Sequence, residues 1–314
     1  MKRKICLSLL GFGFALLLRA QDSETALAKI HYSFKHINDT TERGKSLQDE
    51  VVTYLGKAGS FYTSYSSTRM QEDVKRQTEA PDFNGEIVFN RTTTAIGESY
   101  FFNVPKHVFK VISSVGGDSF YAEEAYPTLD WTILDDTKTI GGYTCQKAQT
   151  TYKGRTYEAW FTTELPFSYG PWKLQGLPGL ILAAHDLKNE VIFDYAGFDK
   201  LDTDNFFVAV PSGGVKSTPA EVKKLKEAFA ANPSAYMKTR ANSRIVSGTS
   251  GGSSVSFVSA SSASSSSTAS SSLSTVSYAV GGGSVNPNQI KSVSIKNSEN
   301  YNPSKNTNNP IELN

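Results

Sequence analysis

Two segments with apolar and polar residues in alternation, joined by a two-residue turn, limit the possible folds of this chain more than any other feature. Residues 143–152 (YTCQKAQTTY) and 155–161 (RTYEAWF) flank Lys153-Gly154. A period of two sends successive side chains to opposite faces of a strand, and glycine in a two-residue connection permits a tight reversal. The stretch therefore reads as an antiparallel hairpin. Arg155, Tyr157, Ala159 and Phe161 share one face, and Thr156, Glu158 and Trp160 share the other.

Similar segments, rich in aromatic and β-branched residues and bounded by Gly, Asp, Asn or Ser, run from Ile30 to about Asp194. They include Ile30–Phe34, Ser60–Tyr65, Tyr100–Val104, Thr128–Leu134, Leu180–His185 and Val191–Tyr195. This spacing predicts a mainly β fold: a curved antiparallel meander sheet, half-barrel-like. One or two helices follow after residue 217. Thr218-Pro219-Ala220-Glu221 is a capping box with proline at the first helical position, and Val222, Leu225 and Phe229 form an apolar stripe directed at the sheet. Asn232-Pro233 ends that helix, and residues 233–240 favour a short second one.

From Ser247 to Ser284 almost half the residues are serine and none is charged. Such a tract buries too little apolar surface to offset chain entropy, so it reads as a disordered, low-complexity linker. Val255-Ser-Phe257 within it has the pattern of an added edge strand. At the other end, Lys2, Arg3 and Lys4 precede an apolar run, Cys6–Leu18, that is too short to span a bilayer. Residues 1–20 therefore read as a signal peptide, cleaved before Gln21. The expected organisation is a signal peptide over 1–20, a β domain with its C-terminal helix over 21–244, a Ser/Gly/Asn-rich linker over 245–306, and a short end over 307–314.

Processing changes the charge argument. The whole chain is formally +2, but four of its 32 basic residues and none of its 30 acidic ones precede Gln21. The processed chain would carry 28 against 30, formally −2, with no basic excess to neutralise nucleic-acid phosphates. Cys145 would be its one cysteine, so its fold would rest on a core and not on disulfides. The expected location is exported: periplasmic, outer-membrane-associated or extracellular, with no transmembrane segment in the mature chain.

With the strands placed, residues 143–149, Gly154-Arg155, Glu158-Ala-Trp160, Leu165–Trp172 and the hexapeptide Gly176-Leu-Pro-Gly-Leu-Ile181 resemble, in order and spacing, the GLPGLI family of exported Bacteroidota proteins. Asn309-Pro310-Ile311-Glu312 is similar to that family's usual C-terminal ending. The family has no agreed catalytic residues, so the resemblance implies none here. It does imply kinship with domains at the front of some secreted glycan-releasing amidases, and a fold like that of periplasmic lipoprotein carriers.

Candidate chemistry is sparse. Gly170-Pro171 and Pro178-Gly179 have turn composition, and the apolar residues after them start a strand. The bends would serve as scaffold, or Tyr169 and Trp172 would stand at a cavity mouth and contact an apolar ligand. Arg155 and Glu158 are the most informative charged residues, as ligand-binding groups or as members of separate cross-strand ion pairs. His31, His36, His107 and His185 show no metal-ligand spacing, and no Gly-x-Ser-x-Gly elbow accompanies His185-Asp186. Cys145 lies mid-strand, as a buried thiol would. Asp130 with Trp131, or Asp135-Asp136, offers carboxylates to a cation, but an acidic pair next to Thr-Lys reads rather as a turn. Asp39-Thr40-Thr41 matches a short O-glycosylation pattern that marks a surface.

No cofactor and no metal are expected. The reading is a non-catalytic envelope protein that binds an apolar or peptide ligand or a protein partner. One alternative is a hydrolase whose site gathers around His185 with Arg155 or Glu158. Another is a structural accessory domain of a larger envelope complex.

Overall fold

The computed structural model describes residues 23–91, 96–202, 206–238, 290–297 and 304–313. Residues 1–20, read as a signal peptide, and the Ser247–Ser284 tract, with Val255-Ser-Phe257, lie outside the described residues.

Twelve strands form one sheet that does not close into a barrel. It consists of two meanders. The first contains β2 (Ala28–His36), β3 (Leu47–Leu55), β4 (Gly59–Ser64), β6 (Glu98–Asn103), β7 (Val108–Val115) and β8 (Asp118–Glu124). The second contains β9 (Thr132–Ile140), β10 (Tyr143–Tyr152), β11 (Arg155–Thr162), β12 (Leu180–Asp186) and β13 (Val191–Lys200). They join where β13 pairs antiparallel with β2, from Val191 opposite His36 to Lys200 opposite Ala28. The short β15 (Val215–Lys216) adds parallel to β8 at one edge, and β9 is the opposite edge.

The connection from β8 to β9 requires the sheet to curl. Ten inter-strand steps separate these strands, about 48 Å in a flat sheet. Residues 125–131 and their flanking bonds reach roughly 29 Å when fully extended. The crossing segment therefore runs over one face and draws the edges towards each other. That face carries the main core, in which Tyr32, Phe34, Tyr62, Phe102, Phe109, Tyr157 and Phe161 are almost wholly buried. The outer face carries a smaller cluster of Ala26, Phe101, Ile112 and Val208. There the pair β1 (Ser23–Thr25) and β14 (Phe207–Ala209) packs.

The predicted hairpin forms with Tyr152 opposite Arg155, and its turn residues Lys153 and Gly154 have φ of 49° and 77°. The predicted helix is α2 (Pro219–Ala231), with both bonds of its capping box, and residues 233–238 add a helical turn. Four differences from the sequence reading stand out. A helix, α1 (Ser66–Glu79), interrupts the stretch read as wholly β. The strand placed at Thr128–Leu134 is β9, which starts at Thr132, because Leu129 and Trp131 leave the sheet to pack on the core. Asp135 and Asp136 lie inside β9 and not at a turn. Within the stretch read as linker, β16 (Ser292–Asn297) pairs parallel with β5 (Glu86–Arg91). Among the described residues, no helix is long and apolar enough to cross a membrane.

Candidate functional site

The hexapeptide belongs to a long loop, residues 163–179, between β11 and β12. This loop lies on the core face of the sheet. Leu165, Tyr169, Trp172, Leu174 and Leu177 are all buried in the main core. Thr53 donates to the Gly170 carbonyl at 3.1 Å, and Tyr32 donates to the Ile181 carbonyl at 2.6 Å. Gln175 links the loop to the crossing segment: its carbonyl accepts from Trp131 Nε1 at 2.8 Å, and its side chain bonds Tyr126 and the Pro127 carbonyl.

Three glycines permit this path for different reasons. Gly176 has φ of 92°, which favours a residue without Cβ. Gly179 does not, but a Cβ there would stand 2.1 Å from the Thr162 carbonyl oxygen, and one at Gly170 would stand 2.7 Å from that of Leu174. In Gly-Leu-Pro-Gly the first glycine supplies a backbone conformation and the second lets the loop touch β11.

The two aromatic candidates, Tyr169 and Trp172, are thus part of the filling of the core face. Trp172 packs edge-on to Tyr152, with ring centroids 5.7 Å apart, and tilted against Tyr157 at 5.9 Å. Lys173 is buried among Tyr100, Phe109 and Trp172, and its ammonium reaches Glu312.

Arg155 and Glu158 point to opposite faces, as their spacing predicts. Arg155 is nearly inaccessible at the end of the core face. Its Nη1 donates to Asp186 at 2.8 Å and to Glu190 at 3.1 Å. Its Nη2 donates to Asn309 Oδ1 at 2.6 Å and to the Pro310 carbonyl at 2.8 Å, and Nε donates to the Ile311 carbonyl at 3.0 Å. Every guanidinium nitrogen is occupied, three of these five acceptors coming from residues 309–311. Burial acts to raise the Glu190 carboxyl, but hydrogen bonds from Arg43, Arg155 and Asn309 bring it below its usual value. His36 Nε2 donates to the Asn309 carbonyl at 2.8 Å, since a carbonyl partner requires that nitrogen to carry the proton. Burial lowers the pKa of His36. Asp39, also buried, accepts from Ser304, Thr41 and Asn308, which hold its carboxyl down to about 2.

On the outer face, Glu158 lies opposite His185 in the strand register, with 3.7 Å between Oε2 and Nε2, and Lys147 is 3.6 Å from Oε1. His185 can therefore meet Glu158 but not Arg155 on the opposite face. Cys145 is fully buried and burial raises its pKa, which disfavours the thiolate. Thr40 and Thr41 are exposed, whereas Asp39 of the same tripeptide is not. A cleft of about 190 Å³ lies between α2 and the sheet, lined by Glu98, Ser113, Glu124 and Lys226 among others. Among the described residues, no group of three or more His, Cys, Asp or Glu is placed to hold a metal ion.

The feature that sequence reasoning missed is the engagement of Arg155 by residues 309–311. The signal was present as two separate observations, an arginine within the hairpin and the Asn309-Pro310-Ile311-Glu312 stretch, with nothing in their spacing to connect them.

Comparison with known proteins gives a match to one family model over part of the chain and to a few solved structures. A family model described as the N-glycanase peptide, N-terminal domain (PNGase F-II) matches residues 119–196, from β8 into β13. No curated protein sequence matches the chain. Structures of PNGF-II in the P21 and C2 space groups align at 14% identity and a TM-score of 0.45, covering 64% and 63% of this chain. The chain spans about a third of those proteins, 33% and 32%. An uncharacterized conserved protein from Thermus thermophilus aligns at 8% identity and a TM-score of 0.32, over 61% of this chain and 91% of that one.

Proposed function

We propose that this chain is a non-catalytic accessory module of an exported envelope assembly, of the GLPGLI type, and that it works by contact with a protein partner. The observation that carries this reading is the filled core face. Tyr169, Trp172, Leu174 and Leu177 of the chain's own loop occupy the surface on which an apolar ligand would sit. Arg155, the best candidate for a charged ligand, has its donors taken by the chain itself. The matched family is named as the N-terminal domain of an N-glycanase, one part of a larger enzyme, and this supports an accessory role. The edge strand β9 and the outer face leave backbone and side chains available to a partner.

Photo-crosslinkers placed along β9 in cells producing the protein are expected to give one discrete product, recovered again when the partner is tagged. Uniform labelling without a discrete product would count against the module. N-terminal sequencing of the mature protein is expected to begin at Gln21, and fractionation to find it outside the cytoplasm.

One observation supports a second reading, hydrolysis, namely the Glu158–His185 pair. Turnover of a glycopeptide or ester by the purified protein, lost in His185→Ala, would establish that reading and remove the first.

A further inference from the structure

Residues 304–313 lie in a groove built from three distant pieces of chain. The end of β2 and the loop after it contribute His36, Ile37, Asn38 and Asp39. The β10–β11 turn and the start of β11 contribute Lys153 and Arg155, and the end of β12 and the turn after it contribute Asp186 and Glu190. The segment itself forms no helix or strand, so its backbone groups find partners on the groove. Arg155 takes the carbonyls of Pro310 and Ile311, and His36 takes that of Asn309. The Asn38 amide takes those of Ser304 and Asn306, at 3.2 and 2.7 Å. The Asn308 and Asn309 amides donate to the Asn38 carbonyl, and the Leu313 amide donates to the Lys153 carbonyl.

The side chains of the segment are read as closely. Asn309 donates to the Ile37 carbonyl at 2.7 Å and to Glu190 at 3.0 Å, while its oxygen accepts from Arg155. An aspartate of the same shape would lose both donors and set a carboxylate against Glu190. Pro310 has no N–H to satisfy. Ile311 packs against the main core, and Glu312 lies between Lys173 and Lys153. Thr307, by contrast, is exposed.

We propose that this groove is a peptide-binding site selective for an Asn-Pro-Ile-Glu segment, and that residues 304–313 are its resident, detachable ligand. Extended peptides are recognised in this way: side chains of the receptor hold the main chain, and a few pockets set specificity. The covalent link keeps the resident segment at an effective concentration of about millimolar, so an added peptide competes only once that link is cut. This inference does not depend on the accessory role.

The test uses the full chain with a specific protease site placed within residues 298–303. Cleavage is expected to leave a one-to-one complex of body and peptide, visible by native mass spectrometry, with the body still folded by circular dichroism. Labelled peptide 304–314 should exchange into it. The Asn309→Asp peptide should bind about a hundredfold more weakly, and the Thr307→Ala peptide equally well. Retention of the cut peptide until the body unfolds, or unfolding of the body when the peptide leaves, would make the segment an integral part of the core and overturn the proposal. Equal binding of the Asn309→Asp peptide would overturn its selectivity.

Discussion

Arg155 determines how one end of the core face is held. It is buried with two carboxylates, and removing one member of a buried ion group leaves the others uncompensated. Arg155→Ala should therefore destabilise the protein by about 3–5 kcal/mol, read as a lower urea midpoint. Arg155→Lys should fail to rescue it fully, because a single ammonium cannot reproduce the planar fork that serves five acceptors. The buried histidines set a pH dependence. Burial and the neighbouring Lys29 hold His31 down to about 4, its Nδ1 lying 2.8 Å from Glu50 as a donor that the neutral ring also supplies, and burial lowers His36. A folded pKa below the unfolded value means that the neutral form stabilises the fold. The contribution is complete above about 6.5 and is lost as pH falls towards the folded values. Urea midpoints should thus decline from pH 7 to pH 5, and the double variant His31→Gln, His36→Gln should flatten that decline. Asp39 has the same stability direction in a lower window, from its ordinary 3.8 down to about 2.

Among the elements, the loop before β12 tests whether the two glycines of the hexapeptide have separate roles. Gly179→Ala forces a methyl group against the Thr162 carbonyl and should cost about 1–3 kcal/mol. Gly176→Ala meets open space and should cost about 1 kcal/mol through its backbone conformation alone. A wild-type-like urea midpoint for Gly179→Ala would refute the close-approach account. At α2, Thr218→Ala removes the cap that accepts from the Glu221 amide and should cost about 1 kcal/mol by the same measurement. The two helices also show what local sequence can reveal. Thr218-Pro219-Ala220-Glu221 announces α2 because a capping box is chemistry between near neighbours. No such signal marks α1: its N-cap residue, Tyr65, makes no side-chain cap bond, and Ser66–Glu79 is polar nearly all round, leaving no apolar period to read. Its docking depends on a distant partner. The Gln77 side-chain amide bonds both the N–H and the carbonyl of Val88, standing in for a neighbouring strand of β5.

For the whole molecule, the crossing segment, the 163–179 loop and residues 304–313 all act on one face of the sheet. The β8–β9 connection curls the sheet, the 163–179 loop fills the face thus created, and the end segment closes its charged end. Releasing that segment through Asn309→Asp in the full chain should increase hydrogen exchange at the backbone amides of residues 36–41 and 190–191, while the amides of β3 and β4 stay protected. A uniform rise across the sheet would mean instead that the segment supports the entire fold. The sequence by itself determined what neighbouring residues settle among themselves: the hairpin and its two faces, the capped helix, the turns of the loop and the buried setting of Cys145. Period, turn chemistry and capping act over a few residues, so they can be read in one dimension. Only the tertiary structure decided that Tyr169 and Trp172 fill the core face, that the polar residues 132–140 form an edge strand, and that Arg155 holds residues 309–311. Those outcomes depend on contacts between residues far apart in sequence, down to a hydrogen bond spanning Arg155 to Asn309, and no local spacing encodes which distant group will meet which.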